Sequence, residues 1–274
     1  DPAGGPPIVH ALGILLPDET RPMLGGDIAI VGEASATEAR GEIHIDGLLV
    51  DGDISVLPGA LDALSLASTT LIRSGKIAVD GTNGANAALE VEIARTILGG
   101  VVSTDPIAAL SIVDSAVLGS VLVPGVALTS SSATILGQTQ AGILEASDSI
   151  FEGALDIESQ QEGCARFCYL PPQSGMARRY RCQPDIALAS ATTDQERARI
   201  LARFRPQYRS RDPLSSGFLL LADGVPVEIR QLAEDGGEPG CWNHLQHETR
   251  VTNLRNALPQ FLRFGLESGL FFLA

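Results

Sequence analysis

The side chains best suited to covalent or metal chemistry are four cysteines, Cys164, Cys168, Cys182 and Cys241, spaced by 4, 14 and 59 positions, with His244 and His247 close behind the last. Paired knuckles that hold zinc need short Cys-x-x-Cys or His-x-x-x-His spacings, and this set has none, so no metal site is assigned. Three readings stay open: buried free thiols, which we prefer; a Cys164–Cys182 disulfide in an oxidising compartment; and a loose metal set. The other histidines, His10 and His44, share no spacing with a Ser or Cys that would specify a nucleophile and its base. Glu90, Glu92 and Arg95 form the best local cluster for acid/base work, although a solvated strand face explains them as well. No glycine-rich phosphate loop is present. Trp242, the single Trp, reads as a core or capping residue rather than a sugar platform. No catalytic residue and no cofactor is assigned.

These side chains sit in a chain of 274 residues that is 45% hydrophobic but only 4% aromatic, so its core must be aliphatic. Gly 29 and Pro 16 require frequent turns, the composition of many short strands. The apolar runs Ile107 to Val113 and Val117 to Val123 are broken well short of the roughly 18 residues of a membrane span, and no membrane insertion is expected. Asp1 begins the chain without a Met or an apolar leader, which suggests a piece of a longer polypeptide and leaves localisation unread.

Charge is divided unequally. Residues 1–160 carry 21 acids against four Arg and one Lys, whereas residues 161–274 carry 12 acids against 14 Arg. The acidic part would repel phosphates, which argues against a nucleic-acid partner. Arg178, Arg179 and Arg181 around Tyr180 could contact an acidic partner or phosphate; the preferred reading pairs them with carboxylates of the acidic part.

A repeat organises the acidic part. Segments starting at Ile43, Leu64, Leu89, Leu110, Leu128 and Ile143 each end in an aliphatic seven or eight positions on, and each is followed by a turn and another alternating strand. Those second strands include Ile54 to Val56, Ile77 to Val79, Val121 to Val123 and Leu155 to Ile157. The intervals of 21, 25, 21, 18 and 15 residues are too short for a crossover helix in each repeat, so each unit must be one coil of a parallel solenoid. Six coils would span about 29 Å. The 25-residue interval places an insertion at the corner Asp80 to Asn86. In the last coil Glu145 falls where an aliphatic is needed, so either the register shifts or Leu144 turns inward. The fold expected is all-β: a right-handed, single-stranded, pectin-lyase-like parallel β-helix over 1–160, with a mixed α/β cap over 161–274. A β-sandwich competes, but lacks the hairpin turns.

Within the second part, Thr193 to Glu196 is a capping box that starts a short helix ending before Pro206. A second helix is expected over His244 to Asn256, stopped or kinked at Pro259, with Gly265 a further stop. This part should cover the open end of the solenoid, and the apolar terminus Gly269 to Ala274 should be pinned.

The strings Gly163-Cys-Ala-Arg-Phe-Cys-Tyr-Leu-Pro-Pro172 and Arg178-Arg-Tyr-Arg-Cys-Gln-Pro-Asp185 carry a resemblance, together with His244-Leu-Gln, Asn253-Leu-Arg and Phe264-Gly-Leu-Glu-Ser-Gly269. They resemble the C-terminal region of large, little-characterised bacterial proteins with β-helix repeats, over most of the chain. Some of those proteins are associated with phage-tail-like or contractile injection particles. The resemblance implies a structural, baseplate-proximal role with protein partners, in the bacterial cytoplasm or in an assembled or released particle, and brings no catalytic residues. The expected function is therefore a non-enzymatic structural or docking module, with carbohydrate binding or polysaccharide cleavage as the alternative. No heptads or trimerisation segment fix an oligomeric state.

Overall fold

The computed structural model describes residues 21–32, 41–172, 174–176, 178–267 and 269. Alternation of buried and half-exposed side chains, as in Leu61–Ala67, marks strands with one face in a core. The chain winds these strands into a parallel β-solenoid with three faces. Face I is a seven-stranded sheet running from Met23–Gly25 through Leu49–Asp51, Thr70–Leu71, Ile97–Leu98, Ala116–Val117 and Thr134–Ile135 to Ile150–Phe151. Face II stacks Ile28–Ile30, Ile54–Val56, Lys76–Val79 and Gly100–Ser103, then 121–123, 139–141 and Leu155–Ile157. Face III stacks Gly41–Asp46, Leu61–Ala67, Glu90–Ala94 and Ala109–Val113, then 127–131, 143–147, Cys164–Arg166 and Arg179–Tyr180.

Inward columns supply the stability. On face III, Ile43, Leu64, Val91, Leu110, Leu128 and Leu144 lie in register. On face I the corresponding column is Val50, Leu71, Leu98, Val117, Ile135 and Phe151, all essentially inaccessible to solvent. Each such side chain contributes about 1.5–3 kcal/mol by leaving water. Phe151, the largest fully buried side chain, stands in the level where the neighbouring inward positions are the small Ala141 and Ala146.

Two corners are built from repeated residue types. Between faces III and I a single residue takes the left-handed conformation in every coil: Gly47, Ser68, Arg95, Asp114, Ser132, Asp148, Phe167 and Arg181. The next residue is turned inward, and in most coils it is a buried hydroxyl or thiol. Thr69, Thr96, Ser115 and Ser149 each donate to the carbonyl two residues back, at 2.9, 2.9, 2.6 and 2.7 Å. Three of these oxygens also receive backbone N–H groups from the preceding coil: Thr69 to Thr96 at 3.4 Å, Thr96 to Ser115 at 3.0 Å and Ala133 to Ser149 at 3.1 Å. Between faces I and II lies a stack of Gly52, Gly75, Gly99, Gly119, Gly137 and Gly153, where an added Cβ would strike the backbone of the coil before. Insertions collect at the remaining corner, from face II to face III. There Asn86, 3% exposed, ties the loop 80–89 by donating to the carbonyls of Leu57 and Asp80, both at 2.9 Å.

The parallel solenoid and the C-terminal helices agree with the sequence reading, and three details differ. The third segment is displaced by two positions: Val91, not Leu89, stacks between Leu64 and Leu110, and Leu98 rather than Ile97 continues face I. Leu89 is still fully buried, because a shift of two keeps the same side inward. In the 143–150 coil Leu144 turns inward opposite Leu128, one of the two outcomes expected there, but Phe151 rather than Ile150 joins the face I column. The solenoid also continues past 160. Cys164–Arg166 pairs with 145–147, Tyr169 with Ile150, Arg179–Tyr180 with Ala165 and Arg166, and Gln183 with Tyr169.

Beyond Gln183 the described residues form four α-helices, α1 (Asp185–Ala189), α2 (Asp194–Arg203), α3 (Val227–Arg230) and α4 (His247–Phe261), with a 3-10 turn at Asn243–Leu245. The Thr193–Glu196 capping box is formed. Helix α4 starts later than expected and carries Pro259 in its last turn, with only two helical residues beyond it. The C-terminal region doubles back along the outside of face I instead of covering only the end. Phe204, Leu221, Val225, Ile229 and Leu232 pack on Ile150 and Tyr169, and further along the face Phe218, Leu219 and Cys241 pack on Ala116. The expected pinned terminus, apart from the exposed Gly269, lies outside the described residues. No described helix is long and apolar enough to cross a membrane.

Candidate functional site

The returning segment does not lie flush on face I. Where residues 241–244 cross the left-handed corner, a pocket of about 230 Å³ remains. One wall consists of Ser68, Arg95 and Asp114, successive members of that corner column. The face I residues Thr70, Ile97 and Ala116 contribute, together with the ladder residue Thr96. Cys241, Trp242 and His244 form the opposing wall, and Arg21 completes the lining.

The pocket is polar on one side and aromatic on the other. Arg21 donates from Nη1 to the Thr70 hydroxyl at 3.3 Å, and Arg95 donates from Nε to the Ser68 hydroxyl at 3.5 Å. Among the described residues neither guanidinium has a carboxylate within ion-pairing distance. Trp242 is half-buried; its indole N–H donates to the Phe218 carbonyl, and its ring lies edge-on to Phe218 and 6.0 Å from His244. Cys241 is buried against face I, which pushes its thiol up to about 12, so at neutral pH it is a protonated lining group and not a nucleophile. On the far side of Trp242 a second pocket of about 220 Å³, lined by Ile97, Pro213, Phe218, Leu220 and Leu245 among others, is more apolar.

The structure separates most of the residues that sequence reading grouped. Glu90 and Glu92 lie exposed on face III, in register with Ala63 and Ser65 on one side and Ala109 and Ser111 on the other, whereas Arg95 has turned the corner into the pocket. Cys168 and Cys182 are the last two rungs of the hydroxyl ladder, with thiols donating to the carbonyls of Arg166 at 3.1 Å and Tyr180 at 3.6 Å. Burial raises the first thiol well above its ordinary range and the second to about 11. All four cysteines are free, and Cys182 stacks beside Cys168 rather than Cys164. Among the described residues no cluster of His, Cys, Asp or Glu is arranged to hold a metal.

His44 is exposed, with Nε2 3.8 Å from the Glu42 carboxylate, and His247 opens α4. His10 lies outside the described residues. Of the arginine cluster, Arg179 pairs with Asp185 at 3.3 Å, within the second part and not with the acidic part, while Arg181 stands over the Tyr180 ring at 5.7 Å. Among the described residues an ion pair that does join the two parts is Arg211 with Glu152, at 2.8 Å. Sequence reading missed Arg21, Ser68, Thr70, Thr96 and Asp114; the signal for Ser68 and Asp114 was their shared corner position with Arg95, readable only once the coils are aligned.

Fold and pocket together define a three-faced parallel β-solenoid whose own C-terminal region is clamped along one face. Comparison with family models, with characterised proteins and with solved structures finds no match.

Proposed function

We propose that this chain is a non-enzymatic structural or docking module of a larger bacterial assembly. One observation carries the reading: coil after coil, the inward positions and two corners repeat residue types that stiffen the body. Inward columns are aliphatic apart from Phe151, one corner is a hydroxyl and thiol ladder, the next is a glycine stack, and face I is packed against the chain's own C-terminal region. The outward neighbours of Glu90 and Glu92 are Ala and Ser, which build no acid/base pair on the open face. A body of this kind transmits load or holds a spacing between partners.

The resemblance of the C-terminal motifs directs the test towards phage-tail-like or contractile injection particles. The intact parent chain, isolated from its source under native conditions, should bring particle proteins with it. Recovery with soluble sugars and without particle components would overturn the reading. Carbohydrate cleavage is the competing class. A panel of acidic and neutral polysaccharides should stay intact; depolymerisation abolished by Glu92→Gln would replace the structural role with an enzymatic one.

A further inference from the structure

The pocket between the left-handed corner and Trp242 has a use that rigidity does not explain. Within a chain of formal net charge −14, it gathers two arginines without a carboxylate partner among the described residues, together with His244. Both arginines are exposed at their outer ends yet line one concavity, each held to a hydroxyl of the same coil, Arg21 to Thr70 at 3.3 Å and Arg95 to Ser68 at 3.5 Å. A steadied guanidinium loses less side-chain freedom when it meets an oxyanion, and its planar fork matches a carboxylate.

The charges in the lining narrow the ligand further. Arg21 and Arg95 bring two positive charges and Asp114 one negative, so these three groups match a single negative charge and not a dianion. Asp114, Ser68 and Thr70 are hydroxyl partners, and Trp242 offers aromatic surface suited to the apolar face of a ring. One negative charge, several hydroxyls and a ring with an apolar face describe an acidic sugar. At about 230 Å³ the space takes one such residue, such as the end of an acidic glycan, and not a long segment of chain.

We infer that this pocket binds a single carboxylate-bearing sugar residue, with Arg21 and Arg95 on the carboxylate, Asp114 and the Ser68 and Thr70 hydroxyls on ring hydroxyls, and Trp242 against the ring. This goes beyond the structural role: it gives the rigid body a point of attachment to acidic glycans.

The test is calorimetric titration of the whole chain with methyl glucuronide. Methyl glucoside, acetate, glutamate and inorganic phosphate serve as separate arms. Saturable binding of the glucuronide is expected, with the other four weaker. Arg95→Asn keeps a residue tolerant of the left-handed corner while removing the charge, and Arg21→Gln changes an exposed position; each should weaken glucuronide binding about tenfold or more. The Arg21→Gln result stands even if Arg95→Asn disturbs the fold. Absence of saturable glucuronide binding, binding indifferent to Arg21→Gln, or tighter binding of any of the other four ligands would overturn the assignment. None of these results bears on the assembly role, which is read by copurification.

Discussion

The hydroxyl of Thr134, on face I, accepts a hydrogen bond from the backbone N–H of Cys241 at 3.1 Å, joining positions 107 residues apart. The preceding N–H, of Gly240, reaches the Asp148 carbonyl at 2.7 Å, and the Asp148 carboxylate accepts the Glu234 N–H, also at 2.7 Å. The returning segment thereby borrows polar groups from the side of the solenoid and satisfies its own backbone there. This junction holds the Trp242 wall of the pocket in place.

Gly240 is the point at which that junction can be broken. Its φ of 96° is one that residues with a Cβ rarely adopt, and an added Cβ would fall on the Thr134 hydroxyl, with Ile150 Cδ1 3.2 Å away. Gly240→Ala should therefore cost about 3 kcal/mol and release the segment around Cys241. Urea unfolding gives the cost, and limited proteolysis should cut first between Gly240 and α4. A variant as stable and as protease-resistant as the parent would show that the junction is not what holds the segment.

The glycine corner makes a contrast within one residue type. A Cβ on Gly137 would collide with the backbone of Gly119 and Ser120, whereas a Cβ on Gly224 meets nothing within 4 Å. Gly137→Ala should lower stability by about 2 kcal/mol or more, because two coils must separate locally, while Gly224→Ala should be neutral or slightly stabilising through the unfolded chain. Equal melting temperatures for the two variants would contradict the stacking.

How far the sequence reveals this molecule follows from the same columns. Burial on one side forces a period of two, so Ile54 to Val56, Ile77 to Val79 and Leu155 to Ile157 are readable as strands without any structure. The register of the third coil is not, since Leu89, Val91 and Ile93 offer three equivalent starts that all keep one side inward. The coil from Cys164 to Gln183 is hidden because thiols replace the hydroxyls of earlier rungs, and Phe167 and Arg181 occupy the left-handed corner. Lateral packing of the C-terminal region depends on pairs such as Thr134 with Cys241, for which local pattern holds no information. The pocket shares that fate: Arg95 stood out beside Glu90 and Glu92, and only the corner reassigned it to Ser68 and Asp114.

The ladder predicts opposite signs for removing and adding a hydroxyl. Ser115→Ala deprives the buried Thr96 N–H of its acceptor at 3.0 Å and should cost about 1–3 kcal/mol. Ala133 is the one position between Thr69 and Cys182 in this column with no polar side chain. Ala133→Ser would offer an acceptor to the Ser115 N–H while donating to the Ser131 carbonyl, for a gain of about 0.5–1 kcal/mol. Chemical denaturation of both variants tests the pair; a destabilising Ala133→Ser would mean that the core at this level has no room for one more oxygen.

The thiols set the response to alkali and to labelling. Burial, the leading cause in each case, raises Cys182 from 9.0 to about 11 and Cys241 from 9.0 to about 12. The folded chain therefore keeps protons that the unfolded chain releases, so this contribution to stability is complete below about pH 9 and is lost as pH climbs through 11 to 12. Tyr169 and Tyr208, also raised by burial, act in the same direction from their ordinary value of 10.0. Unfolding free energy should fall between pH 8 and pH 10.5, and fall less in Cys182→Ser, whose hydroxyl keeps the rung without titrating. At pH 8 a thiol reagent should modify the half-buried Cys164 rapidly and the three buried thiols only at the rate of opening. Rapid labelling of two or more thiols in the native chain, or an alkaline slope unchanged in Cys182→Ser, would contradict the placement of these sulfurs inside the coils.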